Sequence, residues 1–207
     1  MSVSVTPVDA TGPLVVLFHG RGSDEKEIIA LARSLPEQFE YVALRAPITE
    51  GTGFAWFANR GIGRPLAESL AETMEWFDTW LANVASPERP VVLVGFSGGA
   101  AFAGGLVLAR PSRYFGAAIL MGTMPFDAGL PTNPMQLQDV AVLVVHAQND
   151  QVIPTELLER TWNYLHTESG ASVTSLKSPG GHGIGPETIE VLRTWLVGIG
   201  DGARSGR

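Results

Sequence analysis

The fold is decided by the stretch Val91-Val92-Leu93-Val94-Gly95-Phe96-Ser97-Gly98-Gly99, which the small-residue run Ala100 to Leu106 follows. The apolar β-branched residues predict a buried strand, and the run after it predicts a helix. Gly-x-Ser-x-Gly between a strand and a helix indicates a very tight turn with the serine at its apex. Such a turn presents a nucleophilic hydroxyl, and the helix N-terminus behind it offers free N–H groups to a developing oxyanion.

A serine nucleophile needs a base within hydrogen-bond reach and an acid that orients the base. Asp150 follows the apolar run that ends at His146, and Pro154 then predicts a helix start. His182 lies in the Gly-rich loop 180–185 further along the chain. The order Ser, Asp, His is that of a parallel hydrolase sheet, and we expect all three residues at the carboxyl edge of the strands. Asp127, Asp139 and Asp78 are weaker candidates for the acid.

The oxyanion site should consist of two backbone N–H groups. One belongs to Gly98, the residue after the nucleophile, and the other to the loop that follows an earlier strand. That loop is His19-Gly20-Arg21-Gly22-Ser23-Asp24, and Arg21 is the predicted donor. We expect His19 to hold this loop by hydrogen bonds, and His146 to be a structural residue at a strand end.

Four motifs carry a resemblance to a known family: Leu17 to Glu25, Gly95 to Gly99, His146 to Pro154, and Gly180 to Ile184. In this order they resemble the phospholipase/carboxylesterase family of α/β-hydrolases, which includes the acyl-protein thioesterases, and the likeness covers residues 13–197. It implies a lidless serine esterase without a metal or an organic cofactor.

By this resemblance, Ser97, Asp150 and His182 match the family's catalytic positions, and Arg21 and Gly98 its oxyanion positions. Acyl-protein thioesterases typically carry Gln after the nucleophile, so Gly98 weakens any claim to a protein-lipid substrate. The segments 45–47 and 54–57 look more like the small bacterial carboxylesterases of the family.

Apolar strands alternate with helical patterns along the chain, which predicts one α/β domain over residues 1–199. We expect an α/β-hydrolase fold: a mostly parallel sheet of six or seven strands with helices on both faces. The predicted helices include 24–35 with Ser23 as N-cap, 65–85 and 186–197. The loop 122–139 is too short and too rich in Pro and Gly for a cap domain. The polar segment 200–207 should be a disordered tail.

Composition narrows the function further. The 207 residues carry a net charge of −7, which argues against nucleic-acid binding. Cysteine is absent, and no His or carboxylate spacing predicts a metal site. No signal-peptide pattern and no run of 18 apolar residues occur, so we expect a cytoplasmic protein without a membrane span. The oligomeric state is not determined by these features.

The reaction we expect is hydrolysis of a small-molecule ester with a short to medium acyl chain. Phe54, Trp56, Met124 and Ile153 are candidates for the walls of the substrate pocket, although the aromatic residues are equally compatible with an ordinary core. Two alternatives stay open. One is an acyl thioesterase or lysophospholipase that uses the same three residues, and the other is a non-catalytic hydrolase scaffold that binds a ligand.

Overall fold

The computed structural model describes residues 2–5 and 12–204, and its centre is a seven-stranded sheet. The strands of the sheet, in spatial order, are β1 (Ser2–Val5), β3 (Glu40–Leu44), β2 (Leu14–Phe18), β8 (Val91–Phe96), β9 (Gly116–Leu120), β10 (Ala141–Ala147) and β11 (Ser172–Ser178). The strand β1 pairs antiparallel with β3, and the other six strands are parallel. The predicted sheet is therefore confirmed.

Five α-helices occur in the described part of the chain. They are α1 (Glu25–Ile29), α2 (Ala67–Val84), α3 (Gly98–Ala109), α4 (Thr155–Asn163) and α5 (Pro186–Arg204). A 3₁₀ segment, Ala30–Ser34, continues α1, and a π-helical turn, Tyr164–Glu168, continues α4. The predicted helix 24–35 is thus two pieces. The helix α5 continues to Arg204, into the segment for which the sequence predicts a tail, and 205–207 lie outside the described residues.

Helices cover both faces of the sheet, and as a result the strands β2, β3, β8, β9 and β10 are buried at almost every position. Along β2, Val16 and Phe18 pack with residues of α2 and α3, whereas Val15 and Leu17 pack with residues of α1 and α5. This alternation with period two divides the core into two layers. None of the described helices is long and apolar enough to cross a membrane.

Two small hairpins occupy residues 48–65. The first pairs β4 (Ile48–Glu50) with β5 (Gly53–Ala55), and the second pairs β6 (Asn59–Gly61) with β7 (Arg64–Pro65). The connection from β9 to β10 contains turns and no helix, and no cap domain is formed by the described residues.

Strand order also fixes where a site can form. The chain leaves β2 toward β3 on one side and later returns to place β8 on the other side of β2. The loops after β2 and β8 therefore diverge at their carboxyl ends. Open α/β sheets bind ligands at such a switch point.

Candidate active site

Ser97 lies at the apex of the turn between β8 and α3, in a backbone conformation that side chains rarely adopt. Its φ is 55° and its ψ is −115°, and the surrounding contacts hold it there. The Ser97 N–H donates to the carbonyl of Leu120 at 2.9 Å. The helix α3 can follow at once because Gly99 has no side chain: a Cβ there would lie 2.2 Å from the carbonyl oxygen of Phe18.

The three side chains predicted to act together meet at this edge of the sheet. His182 Nε2 lies 2.9 Å from Ser97 Oγ, and His182 Nδ1 lies 2.8 Å from Asp150 Oδ2. Since an ionised carboxylate can only accept, Nδ1 carries a proton and donates it to Asp150. In the neutral imidazole, Nε2 is then the acceptor that faces the serine hydroxyl.

Asp150 is fixed by the turn that contains it. Its side chain is fully buried, and Oδ1 accepts hydrogen bonds from the N–H groups of Val152 and Ile153 at 2.8 and 3.0 Å. Burial by itself would raise the pKa of this carboxyl, but the hydrogen bonds from His182 and from the two backbone groups outweigh it. The pKa is lowered overall, so Asp150 is ionised at neutral pH.

The two predicted oxyanion donors lie next to each other. A Cβ built on Gly98 would lie 3.3 Å from the backbone nitrogen of Arg21. Gly98 is the first residue of α3, where backbone N–H groups have no partner within the helix. Among the described residues, no acceptor receives a hydrogen bond from the N–H of Arg21 or of Gly98. Both donors are therefore free for an anionic oxygen.

His19 holds the loop that carries Arg21. Its ring is fully buried, with Nδ1 2.7 Å from the carbonyl of Gly20, and Nε2 accepts from the N–H of Ala46 at 3.2 Å. Burial lowers the pKa of His19, which keeps it neutral with one donor and one acceptor. The carbonyl of His19 accepts from Trp56 Nε1 at 2.8 Å. These bonds are those of a loop-holding residue rather than of a base.

His146 is the second buried histidine, at the end of β10. Burial lowers its pKa to about 4, and its ring lies 5.5 Å from that of Trp162. Within the described part of the chain, its Nε2 has no hydrogen-bond partner. It therefore stays neutral at physiological pH and is a structural residue of the core.

A cleft of about 750 Å³ opens over Ser97 and His182. Of the four residues predicted as its walls, Ile153 lines it, and Phe54, Trp56 and Met124 do not. Trp56 is buried and stacks on Phe102 with the ring centroids 4.7 Å apart. Met124 is buried in the same core layer, and the ring of Phe54 packs under the guanidinium of Arg45. The prediction for these three residues is corrected, because each finds a packing partner away from the cleft.

Phe57, which belongs to the aromatic segment 54–57, does line the cleft. The other apolar walls come from residues that the sequence did not mark as pocket residues: Ile62, Ala101, Val152 and Ile184. Val152 stands two positions after Asp150, and Ile184 two positions after His182, and that spacing is a signal that could have found them. Ile62 lies at the tip of the β6–β7 hairpin, and no local pattern marks it. Ile62 and Val152 are 53% and 45% exposed, so the cleft presents apolar side chains directly to solvent.

The competing acids have other partners. Asp127 forms ion pairs with Arg64 and Arg160, at 3.0 and 3.2 Å, and Asp78 pairs with Arg110 at 2.8 Å. No group of three His or carboxylate side chains that could hold a metal ion occurs among the described residues.

The fold and the arrangement at its switch point define an α/β-hydrolase. The family model described as Phospholipase/Carboxylesterase matches residues 2–197. The chain therefore belongs to the phospholipase/carboxylesterase family, as the motifs predict.

Comparisons with individual proteins agree with this. The chain is 24% identical to acyl-protein thioesterase 1 of Cryptococcus neoformans, in an alignment that covers 94% of this chain and 95% of that protein. A carboxylesterase from Mesorhizobium loti has a similar structure, with a TM-score of 0.80 and 25% identity over 91% of both chains. The Bacillus cereus carboxylesterase superposes with a TM-score of 0.84 at 21% identity, covering 96% of this chain and 93% of its own.

Proposed function

We propose that the protein is a serine carboxylesterase that hydrolyses esters with short to medium acyl chains through an acyl-enzyme on Ser97. The observation that carries this proposal is the unbroken hydrogen-bond chain from Ser97 through His182 to Asp150, below an open apolar cleft. Two free backbone donors beside the serine complete the set that acyl transfer needs.

Acylation follows from this geometry. Ser97 Oγ attacks the ester carbonyl carbon while His182 Nε2 takes the hydroxyl proton. The N–H groups of Arg21 and Gly98 hold the oxyanion of the tetrahedral intermediate, and losing one such donor typically costs about 10²–10³ in rate. The C–O bond to the alcohol then breaks, and His182 gives the proton to the leaving oxygen. Asp150 remains ionised throughout and stabilises the imidazolium.

Deacylation reverses the roles with water as the nucleophile. His182 takes a proton from the water, whose oxygen attacks the acyl carbon. The bond to Ser97 Oγ breaks, the serine recovers its proton from His182, and the carboxylic acid leaves. No metal or organic cofactor enters any step, so the substrate ester and water are the only reactants.

The cleft supports a limited acyl length. Each methylene is worth about 0.8 kcal/mol only while it is buried, or about fourfold in kcat/KM. Exposed Ile62 and Val152 mark where the apolar wall meets solvent, so the gain should end there. With p-nitrophenyl esters from acetate to palmitate, kcat/KM should peak at short or intermediate length. A profile that still rises at palmitate would contradict the predicted acyl length and favour the alternative of an acyl thioesterase or lysophospholipase.

Ser97→Ala tests the chemistry itself. It removes one oxygen, so ester hydrolysis should be lost while the circular dichroism spectrum is unchanged. A fluorophosphonate probe should label the wild type and leave Ser97→Ala unlabelled. Activity of Ser97→Ala within tenfold of the wild type would refute the assignment of Ser97 as the nucleophile. A wild type that is neither labelled nor active would favour the non-catalytic scaffold.

A thioesterase is the second candidate, because the chain is similar over almost its whole length to a protein named acyl-protein thioesterase 1. The same three residues can cleave either bond. Oxygen esters and thioesters with identical acyl chains distinguish the two candidates, and we expect the higher kcat/KM for the oxygen ester. A thioester preference of tenfold or more would assign the second activity.

A further inference from the structure

The N–H of Arg21 belongs to a loop, residues 19–23, that contains no helix or strand. A donor on such a loop aids catalysis only if the loop is held, because a displacement of about 1 Å can cost 10²-fold in rate. The segment that holds it is Ile48–Phe57, which we call the brace. It contains the β4–β5 hairpin and ends beside the cleft at Phe57.

The brace contacts the loop first through its backbone. The N–H of Gly22 donates to the carbonyl of Phe54, and the N–H of Phe54 donates to the carbonyl of Ser23, both at 2.9 Å. Contact at Gly53 is so close that a Cβ there would lie 2.0 Å from the carbonyl oxygen of Gly22. These bonds fix the loop after Arg21, and none of them involves Arg21 itself.

Arg21 is held by its side chain instead. Its Nε and Nη2 donate to the two carboxylate oxygens of Glu50 at 2.5 and 2.6 Å, and Nη1 donates to the carbonyl of Phe57 at 2.9 Å. Two parallel bonds between a planar guanidinium and a carboxylate restrict orientation as well as distance. The side chain therefore ties the α-carbon of residue 21 to two places in the brace, Glu50 beside the hairpin turn and the last residue, Phe57.

We propose that Glu50 is a positioning residue of the oxyanion site: through the Arg21 side chain it holds the Arg21 N–H where the tetrahedral intermediate places its oxygen. This inference rests on the proposed function. Arg21 thus has two separable parts, a backbone N–H that contacts the oxyanion and a side chain that positions this N–H. Because any residue other than proline supplies the N–H, substitution of Arg21 removes the second part alone.

Exposure supports a positional role over a stabilising one. The side chains of Arg21 and Glu50 are 32% and 37% exposed, and pairs so accessible to water contribute little to folding. A matched control exists in the pair of Arg110 and Asp78, which is 2.8 Å long and lies at the opposite end of α3 from Ser97.

The experiment measures kcat, KM and melting temperature for Arg21→Ala, Glu50→Ala, Glu50→Gln, the double alanine variant and Arg110→Ala, with p-nitrophenyl butyrate as substrate. Glu50→Ala should lower kcat about tenfold, less than the 10²–10³ for a lost donor, and KM should change less than threefold. Arg21→Ala also loses the bond to Phe57, so its loss should be at least as large. Glu50→Gln keeps one acceptor and should fall between Glu50→Ala and the wild type. Arg110→Ala should retain wild-type kcat.

Two further readouts distinguish positioning from general damage. The double variant should be no slower than Arg21→Ala, because both substitutions break the same pair. Phenylboronic acid, which forms a tetrahedral adduct on a catalytic serine, should bind Glu50→Ala more weakly by about the same factor as kcat falls. Melting temperatures should shift by no more than in Arg110→Ala.

Three results would overturn the inference: wild-type kcat in Glu50→Ala, losses that multiply in the double variant, or a higher kcat in Glu50→Ala. The last would show that Glu50 only neutralises a guanidinium that itself stabilises the oxyanion. Failure of the proposed function is a different result, since the wild type would then show no hydrolysis that depends on Ser97.

Discussion

Replacement of Asp150 by Asn tests the proposed mechanism at the far end of the hydrogen-bond chain from Ser97 through His182 to Asp150. Oδ1 of Asp150 accepts from two backbone N–H groups, and Oδ2 faces His182 Nδ1 at 2.8 Å. The Asn carbonyl should stay on the two backbone donors. Turning the amide over would point its NH₂ group at both of them, and each buried donor left unsatisfied costs about 1–3 kcal/mol.

The Asn NH₂ group therefore faces His182 Nδ1, which must accept instead of donate. The ring proton moves to Nε2, and the imidazole can no longer take the proton of Ser97. We expect kcat to fall by about 10⁴, or about 5 kcal/mol, because the wrong tautomer is selected. Hydrolysis of p-nitrophenyl butyrate measures kcat, and thermal unfolding shows whether the fold is retained.

Asp127→Asn is the matched control, since Asp127 is a half-exposed acid whose described partners are arginines. Its kcat should stay within threefold of the wild type. An Asp150→Asn variant that keeps more than a tenth of wild-type kcat would refute the tautomer argument. Loss of activity in Asp127→Asn alone would mean that a different acid orients His182.

Three further predictions concern stability and cofactors. Burial lowers the pKa of His146 to about 4, below its value of about 6.5 in the unfolded chain, so between these values the unfolded state binds more protons and acid destabilises the fold. Through His146, the free energy of unfolding should fall by about 2 kcal/mol when the pH is lowered from 7.5 to 5. Urea titrations at the two pH values should show a decrease that is smaller by this amount in His146→Phe, and an equal decrease in both proteins would contradict the prediction. Gly99→Ala should lower the free energy of unfolding by about 3 kcal/mol through its clash with Phe18, whereas Gly198→Ala, with no atom within 4 Å of its Cβ, should not; equal effects would refute the packing argument. Incubation with EDTA should leave ester hydrolysis unchanged under the serine mechanism, and a loss that Zn²⁺ restores would overturn it.

Local chemistry explains why the sequence predicts so much of the fold and of the site. A strand, a Gly-x-Ser-x-Gly turn and a helix are specified by consecutive residues, so the position of Ser97 follows from residues 91–109 alone. Parallel strands then place the residues after each strand at one edge. This is why Asp150, His182 and the loop with Arg21 could be expected beside Ser97 before any distance was known.

The choice between neighbouring candidates needed the structure. Ser23 and Asp24 are both favourable N-caps. The carboxylate of Asp24 accepts from the N–H groups of Lys26 and Glu27, while the hydroxyl of Ser23 donates to the carboxylate of Glu27. The predicted N-cap Ser23 is therefore wrong by one residue, because the backbone path into α1 decides which oxygen reaches the free N–H groups.

By itself the sequence determined the layered sheet, the turn that carries Ser97, and the edge where Ser97, His182 and Asp150 meet, because each depends on residues adjacent in the chain or on the direction of the strands. Only the tertiary structure decided which side chains face the cleft and what holds the oxyanion loop. Trp56 stacks on Phe102 in the core, and Glu50 accepts hydrogen bonds from Arg21, which lies 29 positions earlier in the sequence. Such pairings depend on how distant segments pack, and an aromatic or charged residue satisfies its local pattern equally well on either side of a hairpin.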